Sequence, residues 1–292
     1  MHILVLGGTR FFGRHLVNAL LCHNHTVTVL TRSESYAPFV KPVHKISVDR
    51  ADKNALAAAL HGQVYDIVYD NIAYASEDVR GILDIVQCTR YILTSTTAVY
   101  TPLQNNIQET QFNPLAYPLK WLCRADADYA ETKRQAECAL FGAYPHIKSV
   151  AVRFPYVIGP DDYTNRLYFY VAHIIKQTPM LIDNFDCPMG FVLSNEAGAM
   201  LAHFSIGEYE GIYNGCNMGS ISIADIAQYV QRKTGKAPVL AKDDLPAPYN
   251  GTPAYSINTD KINGKGFTFT DINASVWPII DAYIDKACAE SE

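Results

Sequence analysis

The chain has 292 residues, 49% of them apolar and 18% charged, an ordinary globular composition with length for one large domain or a large and a small one. Its net charge is −5, and its basic runs are no longer than pairs such as Lys133-Arg134 and Arg232-Lys233, which argues against a nucleic-acid footprint. No apolar run approaches the roughly 20 residues of a membrane span, and the scattered cysteines, without a Cys-x-x-Cys pair, read as reduced cytoplasmic thiols rather than disulfides or a zinc site.

The start, Met-His-Ile-Leu-Val-Leu-Gly, reads as a strand and not as a signal peptide. Apolar runs bounded by turn residues predict strands at 2–7, 26–31, 44–48, 65–70, 90–95 and 148–154. Helical spacing predicts helices near 11–22, 52–61, 76–87 and 129–143, the last with Tyr129, Ala136, Ala139 and Leu140 on one apolar face. This alternation means βαβ units and a doubly wound parallel sheet, an α/β Rossmann domain over residues 1–160. His23 and His25 flank Asn24 and read as a solvated turn, since no metal ligand set accompanies them. Beyond residue 160 a helix is expected at 165–177, then a strand near 190–194 running into a helix to about 205, and a short strand at 212–215. A helix at 222–234 takes Ser222 as N-cap and stops at Gly235, and a last helix lies near 272–287. Segment 188–210 is expected to return to the Rossmann domain. The rest of 161–292 is expected to form a smaller substrate-binding lobe over the carboxyl ends of the strands, where open α/β sheets bind ligands.

The first strand runs into Gly7-Gly8-Thr9-Arg10-Phe11-Phe12-Gly13. A strand ending at Gly7 and a helix beginning near Phe11 put backbone N–H groups at a helix N-terminus, an arrangement that binds a pyrophosphate. Gly7 permits the tight turn, and Gly13 permits close helix–strand approach. Position 10, where a third glycine is usual, holds Arg10, so its backbone must be ordinary and a cation stands beside the phosphates. The second strand exits through Thr31-Arg32 instead of the acidic residue that bonds a ribose 2′-OH. Arg10 and Arg32 together favour a 2′-phosphate, hence NADP(H) over NAD(H); an ordinary solvated arginine is the alternative for Arg32. Asp49, ending the third strand, is placed to accept from an adenine amino group or to serve as a plain turn residue.

Two stretches carry chemistry. Thr94-Ser95-Thr96-Thr97 opens a strand into a hydroxyl-rich turn, and Tyr129 and Lys133, four apart, share a helix face. An ammonium close to a phenol lowers its pKa and makes it a usable acid or base near neutral pH. Nucleotide loop, hydroxyl-rich strand end and Tyr-x-x-x-Lys occur in that order on a βα background. The chain here resembles the extended short-chain dehydrogenase/reductases, the NAD(P)-dependent sugar epimerase/dehydratase family. Matching stretches are Gly7 to Gly13, Asp49-Arg50, Asp66 to Ala73, Thr94 to Tyr100, Tyr129 to Lys133, Arg153 to Pro160, Phe191 to Ala197 and Tyr213 to Gly215. The resemblance implies that Thr96 is the catalytic hydroxyl, Tyr129 the acid/base, and Lys133 its partner on the nicotinamide ribose. It implies cofactor contacts from Gly7, Thr9, Arg10, Phe11, Phe12, Gly13, Asp49 and Arg50, from Asn71 and Ala73, and from Pro155 and Val157 near the nicotinamide. The Gly-Gly-Thr-Arg-Phe-Phe-Gly variant looks like a bacterial subgroup of that family and is similar to chloroplast stem-loop RNA-binding relatives, although the acidic charge balance argues against RNA.

Departures from the family pattern bear on the reaction. Sugar-nucleotide 4,6-dehydratases place Asp-Glu after the catalytic threonine, where this chain has Thr97-Ala98. UDP-galactose epimerases carry an asparagine shortly after the arginine-aromatic pair of the sixth strand, which Arg153-Phe154-Pro155-Tyr156 does not supply. Arg166 stands where it would grip a substrate phosphate, or is a solvated helix-start arginine. The expected activity is hydride transfer at a secondary alcohol of a sugar or nucleotide sugar, as epimerase or oxidoreductase, without nucleic acid or membrane as partner. A non-catalytic NADP sensor and an RNA-binding scaffold are the rival readings. Relatives often dimerise through their two central helices, here near 76–87 and 129–143, but the outward faces of both are polar in this chain.

Overall fold

The computed structural model describes residues 1–32, 38–243 and 246–290. Its first strand, β1 (His2–Leu6), has Ile3 to Leu6 fully buried, the unbroken apolar run of a parallel strand covered on both faces. Helix α1 (Phe11–Cys22) follows, then β2 (Thr26–Thr31), β3 (His44–Ser47), α2 (Lys53–Leu60), β4 (Val64–Asp70), α3 (Ser76–Leu83) and β5 (Gln87–Thr96). Helix α4 (Tyr129–Cys138) continues as a π turn over Ala139–Ala143 into β6 (Lys148–Phe154). The chain next forms β7 (Tyr156–Ile158), α5 (Arg166–Lys176), β8 (Phe191–Leu193), α6 (Ser194–His203), β9 (Gly211–Asn214) and α7 (Ile223–Thr234). Two single turns, α8 (Asp260–Asn263) and α9 (Ile272–Ser275), precede α10 (Trp277–Ala289).

Seven strands form one sheet in the order β3-β2-β1-β4-β5-β6-β9, every adjacent pair parallel. From β1 the chain winds outward through β2 to β3, then returns to the other side of β1 at β4. That reversal opens a crevice between the carboxyl ends of β1 and β4, where Leu6 is level with Asp70. One apolar layer, with Leu16, Val29 and Met200, covers one sheet face, and another, with Leu56, Val79 and Leu140, covers the other. A third cluster joins α5, α7 and α10 to the small β7–β8 sheet and forms the second lobe.

Ser222 caps α7 as expected, its hydroxyl accepting from Asp225 N at 3.1 Å, and Gly235 ends that helix at φ +75°. Several boundaries differ. The helix expected at 76–87 stops at Leu83 because Gln87 is already paired with Val64 at the start of β5. The helix expected at 272–287 is broken after Ser275 and restarts at Trp277, since Pro278 cannot continue the preceding turn. Strand β7 was not anticipated; it exists because β8 lies alongside. The main sheet also takes β9, which lies beyond the return segment expected at 188–210. Among the described residues no helix is long and apolar enough to cross a membrane.

Candidate active site

The nucleotide loop is built from close approach. Gly7 sits at φ +77°, and a Cβ there would lie 2.6 Å from Ile72 Cγ2; at Gly13 it would lie 2.1 Å from the Gly7 carbonyl oxygen. Arg10 has the ordinary extended backbone expected of a non-glycine, φ −138° and ψ 156°. The left-handed conformation falls instead on Phe11 at φ +52°, strained for a bulky side chain. The Arg10 side chain does not cap the start of α1, and Gly7, Thr9, Arg10, Phe11 and Phe12 line a cleft of about 890 Å³. The uncapped N–H groups of this turn therefore face open space, as an anion site requires. Gly13 stands behind the cleft wall and shapes it only through packing.

At the outer end, Arg32 and Asp49 both line the cleft and pair at 3.6 Å, while Asp49 also accepts from Ala51 N at 2.9 Å. Arg10 leans the other way, its guanidinium 5.9 Å from the Tyr163 ring centre, so the two arginines engage different partners. Arg50 also reaches the cleft but is committed to the fold: it donates to Asp70 at 2.7 Å and to the Asp78 carbonyl at 2.7 Å. Buried with two carboxylates, it acts as a strut between β3 and β4, a role its neighbour's strand-end position did not indicate.

At the centre, Asn71 donates to the Gly7 carbonyl at 3.3 Å and accepts from Thr94 Oγ1 at 2.8 Å, tying the loop to β5. Thr96 ends β5 and Tyr129 begins α4; both side chains line the cleft, where the two hydroxyls interact. Tyr129 is half-exposed and leaves the buried face on which Ala136, Ala139 and Leu140 lie, because it opens onto the cleft. Protein surrounding its hydroxyl pushes the phenol up to about 12, against the nearby Thr96 hydroxyl and the Arg166 charge. The expected lowering by Lys133 is therefore not seen. Lys133 Nζ instead donates to the carbonyls of Ala73, at 2.7 Å, and Thr94, at 2.8 Å. Burial pulls this ammonium down to about 8, with Asp70 and Asp78 opposing. Ala73 thus takes part through its carbonyl and does not line the cleft.

The second lobe closes the far wall with Pro155, Tyr156, Val157, Tyr163 and Arg166. Arg166 bonds Thr164 Oγ1 at 3.1 Å and lies 5.3 Å over the Tyr156 ring. Tyr74, Arg124 and Tyr255 complete the lining without having been singled out from the sequence. Tyr74 follows Ala73 directly, a signal that was available. Arg124 comes from a stretch with no periodicity and carried none.

A glycine cradle, an uncapped helix start and the cleft at the β1–β4 crevice fit a dinucleotide: the fold and site define a nicotinamide-cofactor enzyme of the Rossmann class. Comparison with known proteins narrows this. The NAD dependent epimerase/dehydratase family model matches residues 3–182. The chain belongs to that family, whose members are enzymes of the extended short-chain dehydrogenase/reductase type. A curated relative, the chloroplast stem-loop binding protein of 41 kDa b of Arabidopsis thaliana, is 31% identical over 112 residues, 34% of this chain and 30% of that protein, so the match spans under a third of its length. Among solved structures, Bacillus cereus UDP-glucuronic acid 4-epimerase with UDP-glucuronic acid and NAD superposes with a TM-score of 0.75, at 18% identity over 99% of this chain and 100% of that one. The UDP-glucose 4-epimerase of Thermus thermophilus in complex with NAD gives 0.70, at 19% identity over 97% and 99%. At these identities the likeness is one of fold.

Proposed function

We propose that this chain is an NAD(P)-dependent epimerase or oxidoreductase acting on a secondary alcohol of a sugar or nucleotide sugar. The observation that carries the reading is the Thr96–Tyr129 hydroxyl pair facing the cleft, two strands along the sheet from the glycine cradle. A bound nicotinamide supplies the hydride acceptor and donor. Gly7, Thr9, Arg10, Phe11 and Phe12 are the groups that would hold its pyrophosphate, with Asn71, Pro155 and Val157 along its length. Thr96 orients the substrate oxygen. Tyr129 removes the hydroxyl proton and returns it to the ketone oxygen. Lys133, fixed on two carbonyls, keeps a cation beneath the reacting centre, where a ribose hydroxyl can replace one of those acceptors. Arg166 holds the substrate from the lobe side. Arg32, largely exposed, is free to leave Asp49 for a 2′-phosphate, which favours NADP(H).

The test is titration with NADPH and NADH, followed by substitution. Tighter NADPH binding is expected, and Arg32→Ala should weaken it by about tenfold or more, the worth of a charge-assisted contact. Tyr129→Phe should cut hydride transfer by at least about a hundredfold with little change in cofactor affinity. Full activity in that variant would exclude Tyr129 as the acid/base, and binding of neither nucleotide would overturn the reading.

A further inference from the structure

The charge balance at the reacting centre is left open by the function proposed above. Among the described lining residues the cleft carries six cations, Arg10, Arg32, Arg50, Arg124, Lys133 and Arg166, against one carboxylate, Asp49. This is unusual in a chain of net charge −5. A dinucleotide's phosphates account for the loop and the outer end. Deeper in, the buried carboxylates of Asp70 and Asp78 face Arg50, Arg124 and Lys133, two charges against three. Arg166 adds a fourth cation.

Arg124 and Arg166 both line the cleft and both act on Tyr74. Arg124 is anchored by Asp78 at 2.9 Å and the Ile72 carbonyl at 2.6 Å, and its guanidinium lies 4.5 Å over the Tyr74 ring. That ring stands 5.9 Å from Tyr129 and takes Lys133 Nζ at 4.7 Å. Nη1 of Arg124 has no hydrogen-bond partner among the described residues. Among the described residues Arg166 spends only Nε, on Thr164, and keeps both terminal nitrogens for another acceptor. Both charges are felt at the Tyr74 phenol, next to Tyr129. Anchored guanidinium forks with spare donors, walled by tyrosines, match an oxyanion better than a neutral hydroxyl.

We propose that the substrate carries an anionic group, a carboxylate or a phosphoryl, close to the carbinol carbon that reacts, and that Arg124 and Arg166 hold it between them with the Tyr74 hydroxyl. This rests on the sugar-alcohol reading above and narrows it to acidic sugars. The chemistry at the carbinol is unchanged; the anion fixes which carbon faces Tyr129.

The experiment is calorimetric titration of the NADP⁺-loaded protein with glucose, glucuronate and glucose 6-phosphate. At least one charged sugar is expected to bind about tenfold tighter than glucose, the worth of a charge-assisted pair. Glucuronate as the better ligand assigns a carboxylate, and glucose 6-phosphate a phosphoryl group. Arg166→Met and Arg124→Met should each remove most of the preference, and Arg166→Lys, which keeps the charge without the fork, should retain part of it. Charged sugars binding no better than glucose, or a preference that survives both Met variants, overturns the proposal. NADP⁺ binding in the same samples reports on the underlying reading. If neither NADP⁺ nor NAD⁺ binds, that reading falls; if either binds and no charge preference appears, only the anion site falls.

Discussion

Lys133 holds an ammonium in a site that disfavours it. Its two carbonyl acceptors fix the position, and burial draws its pKa from 10.5 to about 8. In the unfolded chain the same lysine titrates near its ordinary value. Between about pH 8 and 10.5 the unfolded state therefore holds a proton that the folded state has released, and stability contributed by this residue rises with pH across that window. The shift corresponds to about 3 kcal/mol. Urea melts of the parent and Lys133→Met should show the parent gaining about that much relative to the variant as pH rises from 8 to 10.5. A flat difference would mean that the ammonium is not destabilised. Helix spacing put Lys133 and Tyr129 on one face in the sequence, and that was correct as geometry. Which acceptors Nζ would choose was not legible, because it depends on how the ends of β4 and β5 open beneath α4. Arg124 was not legible for a related reason: it belongs to no short motif and reaches Ile72 from 52 positions away.

Strand and helix segments of the first 160 residues were legible because each is a short-range pattern: buried runs for the parallel strands, helical spacing for their connections. Breaks within helices followed local chemistry as well, as the Pro278 restart shows. Strand β7 carried no such signal, being three residues long and defined only by its neighbour. Helix α1 comes very close to the loop that follows β1. Gly13→Ala would place a methyl group 2.1 Å from the Gly7 carbonyl, so helix and loop must separate. A loss of about 1–3 kcal/mol in stability is expected, as for overpacking in a closed core. Nicotinamide affinity should fall with it, since the same movement displaces the uncapped N–H groups. Wild-type melting and cofactor binding in this variant would show that the two elements have slack.

At the scale of the molecule, a buried ion pair locks the sheet to the segment that follows β5. Arg153 and Glu137, both fully buried, meet at 2.5 Å, and Ser95 donates to the same carboxylate. Arg153 also donates to the carbonyls of Glu109 and Phe112, and to Tyr100, whose hydroxyl reaches Asn214 on β9. Strands β5, β6 and β9, helix α4 and the stretch around residue 110 thus share one polar knot. Residues 1–160 on their own lack both β9 and α6, which packs on α1. That fragment should express without a cooperative thermal transition; a sharp melt from it would show that the first strands stand alone.

The edge that β9 covers has a consequence for how the protein is made. While a ribosome synthesises the chain, β6 emerges with one side of its backbone unpaired, and it stays so for the 56 residues that separate Phe154 from Gly211. During that interval the nascent sheet ends in a bare, apolar parallel strand, a template to which another chain can add. Chaperone demand for this protein should therefore peak late in translation, after the nucleotide loop has left the exit tunnel and before the last strand closes the sheet.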